Sequence, residues 1–441
     1  MDRTVGALVV KRVLMVAFHF PPQRGSSGIQ RTLRFTQHLP GFGWEPLVLS
    51  AHPRAHPETG QDQMGEIAPG TVVRRAFALD TARHLAWRGK YLGWMALPDR
   101  WVSWVLGAVP AGLALVRRYR PEVIWSTYPI ASAHLIGLAL RRLTGLPWVA
   151  DLRDPMLDDS HPSGRLKRAA TAWIEAQTLK HCSRAVCTTP GAVRTYETRY
   201  PGLPPGRLCL IENGYDEQAF AAAQSEAAPR VPRGAGPLIL LHSGIVYPSE
   251  RDPRPLFAAL ASLHASGRLS PANFRLVLRA AVHEEWLARL AAEHGIEELV
   301  EIAPPLPYRA ALADMLGAGA LLVLQAANCN AQVPAKLYEY LRAGRPILAL
   351  TDADGDTARL LRQAGIDTIG PLDDTAGIAD ALERFLDLAT AGKAPLAPET
   401  VVRAQERRAR TLQLASLFDA VVAEENAAAG ARQAAKSSKA P

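Results

Sequence analysis

Short apolar runs alternate with amphipathic stretches along almost the whole of this chain. In its first half, runs at residues 13–18, 46–49, 72–76, 123–126, 148–151, 185–188 and 208–211 are rich in Val, Ile, Leu and Trp and read as strands. Between most of them lie stretches of helical period, for example residues 131–143 and 166–179. Continuously apolar strands separated by helices predict a parallel sheet covered on both faces. The pattern lapses over residues 221–237, where Ala, Gln, Glu, Pro, Arg and Gly follow one another without an apolar period. It resumes with strands at 238–242, 274–278, 299–302, 320–324, 346–350 and 368–369. The expected architecture is therefore α/β, with two doubly wound, Rossmann-like domains at residues 1–220 and 238–395. A linker at 221–237 joins them, a helix at 396–423 follows, and a disordered Ala/Lys/Ser-rich tail at 424–441 ends the chain. Two such domains put a cleft between them, and ligands of these sheets bind at the carboxyl ends of the strands.

Length and composition agree with this reading. The 441 residues exceed one ordinary α/β core, and 48% hydrophobic with 21% charged residues is the balance of a folded chain. The net charge of +8 is spread without a dense Lys/Arg block, so it admits an anionic partner without requiring one. The four cysteines, Cys182, Cys187, Cys209 and Cys329, form no CxxC pair and no metal spacing, which suits buried thiols in a reducing cytosol. The apolar start is interrupted by Lys11 and Arg12 and lacks a small-residue cleavage site, so it reads as a first strand and not as a signal peptide. The apolar, uncharged run 101–116 is shorter than the ~20 residues a membrane helix needs and contains Pro110, so no span is expected.

Four segments could carry chemistry. The turn Phe20-Pro21-Pro22-Gln23-Arg24-Gly25-Ser26-Ser27-Gly28 follows the first strand and leads into a helix. It reads either as an anion-binding helix start or as a tight turn. Neither GxGxxG nor GxxxxGK[ST] is present, which argues against a nicotinamide oxidoreductase and a P-loop enzyme. The run Asp151-Leu152-Arg153-Asp154 puts three charges at a strand's carboxyl end, either as a site or as a local ion pair fixing the loop. Asn213-Gly214-Tyr215-Asp216 reads as a turn. The segment 333–344, Val-Pro-Ala-Lys-Leu-Tyr-Glu-Tyr-Leu-Arg-Ala-Gly, reads as a helix with Pro334 in its first turn and Gly344 at its stop. Its start faces the carboxyl end of the preceding strand, so its N–H groups, its dipole and Lys336 attract phosphate. Glu339, on the same face, suits the two hydroxyls of a ribose, and a surface Lys–Glu pair is the alternative. Trp87, Trp94, Trp101 and Trp104 lie among Arg83, Arg88, Lys90 and Arg100, a mixture that suits either a membrane interface or an amphipathic helix packed on its own domain.

The order of these segments resembles glycosyltransferase family 4, retaining enzymes of GT-B fold in which two Rossmann-like domains face each other across a cleft. The features shared are the Phe-Pro-Pro and Gly/Ser turn, Asp151-Leu152-Arg153-Asp154, Asn213-Gly214-Tyr215-Asp216 and the helix of Lys336 and Glu339. The similarity is greatest to bacterial members that build cell-surface polysaccharides. The resemblance implies a retaining transferase that uses a nucleotide sugar, UDP- or GDP-linked, and a saccharide or polyprenyl-linked acceptor. The sequence itself shows no metal-ligating cluster and no nucleic-acid recognition motif, so no cofactor and no nucleic acid are expected. Its cysteines suit a cytoplasmic location, and the Trp/basic stretch, where it is not packed on its own domain, suits contact with the inner face of the membrane.

Residue by residue, the resemblance implies that Gly25, Ser26 and Ser27 line the donor diphosphate or the acceptor side. Arg153, followed by Asp154, stands where many members have a histidine near the transferred sugar. Gly244 would approach the diphosphate, Pro305 would border the base and Glu339 would hold the ribose. The family's other glutamate falls on Ala331, leaving Asn330, Gln332 and the backbone of Val333, Pro334 and Ala335 to meet the sugar. The usual arginine falls on Ile245, and Arg251 matches the phosphate lysine, so Arg251 and Lys336 would neutralise the leaving diphosphate. These departures also fit a relative that binds nucleotide sugars without catalysis.

Overall fold

The computed structural model describes residues 10–25, 28–61, 63–158, 162–225, 227 and 236–437. It divides into two compact units, one comprising the chain up to Glu212 together with Arg407 onward, the other Asn213–Glu406.

The first unit is built on β1 (Lys11–Val16), β2 (Trp44–Ala51), β3 (Val72–Ala76), β4 (Val123–Thr127), β5 (Trp148–Arg153), β6 (Arg184–Cys187) and β7 (Leu208–Leu210). They form one sheet in the order β3-β2-β1-β4-β5-β6-β7, with parallel pairing throughout. Successive residues of a strand serve opposite faces. Leu14 and Val16 join one apolar cluster with Ile124, Trp148 and Ala150, while Val13 and Met15 join another with Trp125, Val149 and Val186. That alternation explains why the strands read as continuously apolar.

The second unit repeats the plan with β8 (Leu238–Ser243), β9 (Phe274–Arg279), β10 (Val300–Ala303), β11 (Ala320–Gln325), β12 (Ile347–Thr351) and β13 (Ile369–Gly370). Their order is β10-β9-β8-β11-β12-β13, again parallel. Leu240, Leu276, Leu322 and Leu348 pack on one face, and Leu241, Val277, Leu321 and Ala349 on the other. In each sheet the strand order reverses direction once, between β1 and β4 and between β8 and β11. The crevice beyond the carboxyl ends at such a point is where open α/β sheets bind ligands.

All the strands expected from the pattern are present, with ends displaced by up to two residues. The boundaries of the units differ from the expectation. The helix Glu217–Gln224 occupies the first part of the stretch read as a linker, and residues 226 and 228–235 lie outside the described residues. Glu217 ties that helix to the second unit by a bidentate ion pair with Arg342 at 2.5 and 2.6 Å, and Arg342 also stacks on Phe220. The helix expected at 396–423 is two helices, Glu399–Ala404 and Arg407–Ser437. The longer one belongs to the first unit because Leu414, Ala415, Phe418 and Val421 fill the cluster under β1 and β4. Asp419 there accepts a hydrogen bond from Trp44 Nε1 at 3.1 Å and pairs with Lys11. The tail expected to be disordered from 424 continues this helix to Ser437, because its Ala, Glu, Gln and Arg are good helix formers added to an existing nucleus. Among the described residues no helix is long and apolar enough to cross a membrane.

Helix Ser132–Thr144 lies directly on β5 through Gly137. A Cβ there would come 2.6 Å from Nε1 of Trp148 and 2.7 Å from its Cε2. Trp148 is wholly buried and donates Nε1–H to Ser126 Oγ at 2.8 Å, so it has little room to yield. Helix propensity alone would make Gly137→Ala stabilising by up to ~1 kcal/mol. Overpacking costs roughly 1–3 kcal/mol and wins. Gly137→Ala is expected to lower the thermal unfolding midpoint; an unchanged or higher midpoint would contradict this packing.

Candidate functional site

In the second unit the carboxyl ends of β8 and β11 converge on helix Ala335–Ala343. Its start is set by Pro334, which caps without a side-chain acceptor, and its end by Gly344 in left-handed conformation, φ 64°. The expected Pro334 within the first turn is therefore the cap itself. The loops after β8 and β11 are laced together: Ala326 N–H donates to Glu250 O at 2.8 Å and Asn328 Nδ2 to Ser249 O at 3.1 Å. From the end of β11, Gln325 Nε2 donates to the carbonyls of Cys329 and Gln332 at 3.0 and 3.1 Å, shaping the loop that delivers Asn330, Gln332, Val333 and Pro334. Asn330 Nδ2 in turn donates to Asp352 at 2.6 Å, beyond β12.

Lys336 is the centre of this arrangement. Its side chain is partly buried and its Nζ lies 3.3 Å from Nε2 of His242. His242, on β8, is wholly buried, and its Nδ1–H donates to the Leu322 carbonyl at 2.9 Å, which leaves Nε2 as the acceptor for the ammonium. Burial first, and Lys336 second, holds His242 well below the usual imidazole range, so it is neutral. The Lys336 amine is itself lowered to about 7, chiefly by burial and then by Arg251, with Glu339 acting in the opposite direction. Gly244, at φ 128°, passes directly over it, and a Cβ on Gly244 would sit 2.5 Å from Nζ. Arg251 folds back to donate Nη1–H to Ile245 O at 2.5 Å. Thus Gly244, Arg251 and Lys336 are brought together at the helix N-terminus, where the dipole adds further positive potential.

Glu339 is one turn further on and 9% exposed. Its Oε1 accepts a hydrogen bond from Tyr308 Oη at 2.9 Å. Tyr308 opens the helix that follows the exposed run of Pro304, Pro305 and Pro307, so Pro305 is in the loop leading to the partner of Glu339. Tyr340, on the same helix, accepts from the Ser243 backbone N–H at 2.9 Å and locks the helix to the end of β8. A separate pocket of about 550 Å³ opens at the carboxyl ends of β11, β12 and β13, lined by Thr351, Asp352, Asp367 and Asp373 among others, and touches neither Lys336 nor Glu339.

In the first unit, Ser26 and Ser27 lie outside the described residues. Gly25 is exposed, in left-handed conformation at φ 74°. The local ion pair considered for Asp151 is not made. Asp151 is fully buried and pairs with Arg31 of the helix Gly28–His38, Oδ1 to Nη2 at 2.8 Å and Oδ2 to Nε at 3.0 Å, with Thr127 Oγ1 donating at 2.8 Å. Arg31 also donates to the carbonyls of Ile211 and Glu212, so this ion pair fastens the carboxyl edge of the sheet. Breaking such a buried pair costs roughly 3–5 kcal/mol. Asp154 accepts from Thr188 Oγ1 at 3.1 Å. Arg153 sits at φ 62°, and its buried Nε has no hydrogen-bond partner. Burial lowers its pKa, and its Nη1 reaches Tyr128 O only at 3.4 Å. An under-satisfied guanidinium on a strained backbone at a strand's carboxyl end is a feature of ligand sites. His19, lowered to about 3 by burial, Arg153 and His56, stands beside it.

His19, His242, Tyr308 and Tyr340 were missed by reading the sequence. His242 carried a signal, a histidine at the carboxyl end of the apolar run Leu-Ile-Leu-Leu and two residues before a glycine. His19, just past the first strand, carried a weaker one of the same kind. Tyr308 and Tyr340 act only through tertiary contacts and had none.

Comparison with known proteins bears on the whole chain. Residues 27–214 match the family described as a glycosyl transferase 4-like domain. No curated protein matches the chain by sequence. Among solved structures, the chain is similar to sucrose-phosphate synthase from Thermosynechococcus elongatus, with TM-score 0.67 at 15% identity, covering 94% of this chain and 100% of that one. It is similar also to α,α-trehalose 6-phosphate synthase from Burkholderia multivorans, with TM-score 0.60 at 14% identity and 95% and 99% coverage. A lipopolysaccharide outer core galactosyltransferase gives TM-score 0.58 at 12% identity, with 92% and 99% coverage. Residues 27–214 thus match a glycosyl transferase 4-like domain, and along its length the chain has the GT-B fold of these solved structures.

Proposed function

We propose that the chain moves a sugar from a nucleotide-sugar donor to a saccharide or polyprenyl-linked acceptor with retention of configuration, and that its second unit holds the donor. The observation that carries this reading is Lys336. Burial and Arg251 outweigh Glu339 in setting its pKa at about 7, so the ligand-free site is short of negative charge. A diphosphate at the N-terminus of helix Ala335–Ala343 supplies that charge where the dipole also favours it. Glu339, steadied by Tyr308, suits the two ribose hydroxyls, and Pro305 borders the base. Gly244 admits the diphosphate close to the backbone, while Asn330, Gln332, Val333, Pro334 and Ala335 line the sugar. In the first unit, Gly25, Ser26, Ser27, Arg153 and Asp154 serve the acceptor side and the transferred sugar.

In the step itself the bond from the anomeric carbon to the diphosphate oxygen breaks, and its electron pair leaves with the phosphate. Arg251 and Lys336 stabilise the charge that develops there. The acceptor hydroxyl attacks the same face and its proton passes to the departing phosphate oxygen, so orientation of the donor matters more than a strong protein base. UDP- and GDP-sugars are the donors expected. The fold shared with a lipopolysaccharide galactosyltransferase supports an acceptor in cell-surface polysaccharide synthesis.

Two outcomes test this reading. Lys336→Ala and Glu339→Ala should each lower transfer by about 10²–10³-fold, the cost of losing a charge-stabilising or donor-orienting contact, measured as product formed with folding checked by circular dichroism. Unchanged turnover in both variants would contradict the assignment.

The second concerns protons. The ordinary lysine value of 10.5 is lowered to about 7 in the folded chain, so above pH 7 the unfolded chain holds a proton that the folded one lacks. Burial of Lys336 therefore costs stability fully below that pH and less as pH rises toward 10.5. A bound diphosphate favours the ammonium and raises its pKa again. Binding of a nucleoside diphosphate should thus take up a proton at about pH 8 and little at about pH 6, and affinity should fall as pH rises through this range. Calorimetry in two buffers of different ionisation enthalpy measures the uptake. Uptake that is absent, or that persists in Lys336→Met, would contradict it.

A further inference from the structure

Exposed large apolar side chains crowd one stretch of the first unit. Between residues 85 and 94 lie Leu85, Trp87, Tyr91, Leu92 and Trp94, with Trp87 78%, Trp94 68% and Leu92 61% exposed. The stretch is ordered and clasped at its base. Thr81 N–H donates to Arg100 O at 2.8 Å, Arg100 pairs with Asp80 at 2.8 Å, and Thr81 Oγ1 donates to Met95 O at 3.0 Å. At its tip Trp87 and Lys90 exchange backbone hydrogen bonds of 2.8 and 3.0 Å around Arg88 and Gly89. Both turn residues are left-handed, at φ 48° and 75°, and nothing lies within 4 Å of where a Gly89 Cβ would stand. This is a tight two-residue turn projecting into solvent.

The tryptophans of this region divide by role. Trp104 is wholly buried, Trp101 is half-buried and donates Nε1–H to Ala55 O at 2.9 Å, and both pack on Phe18. For those two the reading as packed core is correct. Trp87 and Trp94 have no such seat. The charge along this stretch is of one sign. From Thr81 to Pro98 there is no Asp or Glu, while Arg83, Arg88 and Lys90 are exposed. The next acid, Asp99, is turned inward to accept from the backbone N–H groups of Trp101 and Ser132 at 3.0 and 2.8 Å.

We infer that the turn at residues 85–94 docks the protein on an anionic lipid bilayer, with Trp87, Leu92 and Trp94 entering the interface and Arg83, Arg88 and Lys90 meeting the headgroups. Tryptophan suits that depth, since its ring is apolar and its N–H stays near polar groups. Basic side chains beside it gain from the negative surface potential. A convex, projecting turn also fits a flat, deformable surface, where a small ligand would need a concavity.

The test uses the full chain and needs no donor. In flotation with vesicles, the protein should bind phosphatidylglycerol/phosphatidylcholine membranes at low salt, release at high salt and bind phosphatidylcholine alone far more weakly. Arg88→Ala with Lys90→Ala should weaken binding by roughly fivefold per charge, about 25-fold together. Trp87→Ala with Trp94→Ala should abolish flotation while leaving the thermal midpoint unchanged, since these side chains are exposed. No binding to anionic vesicles at low salt, or binding indifferent to both double variants, overturns the inference. So does a concentration-dependent dimer in sedimentation without lipid that disappears in the tryptophan variant, since the turn would then meet a second copy of the chain.

Discussion

A lysine drawn partly out of water at the start of helix Ala335–Ala343 is the constraint on which the rest of the second unit depends. Its ammonium needs an uncharged hydrogen-bond acceptor, and His242 provides one because the Leu322 carbonyl fixes its tautomer. It needs a chain passing above without a side chain, and Gly244 provides that. The helix must start at this point, which Pro334 ensures, and must not slide, which Tyr340 prevents by holding the end of β8. Each of these choices is local, and together they present positive charge to an incoming anion.

Comparing the ion pairs of the molecule separates structure from function. Arg31 with Asp151, and Arg342 with Glu217, are matched bidentate pairs; Arg31 also donates to two backbone carbonyls, Asp151 also accepts from Thr127 Oγ1, and Arg342 also stacks on Phe220. They close a sheet edge and attach a helix, and their charges are spent within the protein. Lys336 and Arg153 are different. The nearest partner of the first is an imidazole, and the second keeps an unpartnered Nε on a left-handed backbone. Charges left in debt in this way mark where a ligand completes the account.

Most strands were legible in the sequence because the central strands of each sheet are buried on both faces and so are apolar runs; the edge strand β3, Val-Val-Arg-Arg-Ala, is the exception. The helix of Lys336 and Glu339 was legible for a related reason, since Pro334 and Gly344 mark its ends and its place after β11 puts its start at the ligand edge. Other features were hidden by distance along the chain. Asp151 suggested a partner two residues away in Arg153, yet the one it takes is Arg31, which no local spacing indicates. The boundary at Glu212 and the return of the chain at Arg407 depend on Leu414 and Phe418 filling a cluster under β1, which is a tertiary fact. The last stretch looked disordered by composition but extends a helix already nucleated and packed. The tryptophans of residues 87–104 could not be sorted by spacing, since burial alone distinguishes Trp104 from Trp87.

The central claim is that the second unit grips a nucleotide diphosphate through Lys336. Thermal unfolding of the chain with UDP, GDP, ADP and dTDP, and with sugars linked to each, tests it most directly, because a ligand that binds only the folded state raises the midpoint by mass action. The account predicts that at least one of these nucleotides raises the midpoint of the natural chain and fails to do so for Lys336→Met. Stabilisation by none of them, or equal stabilisation of the variant, would contradict it.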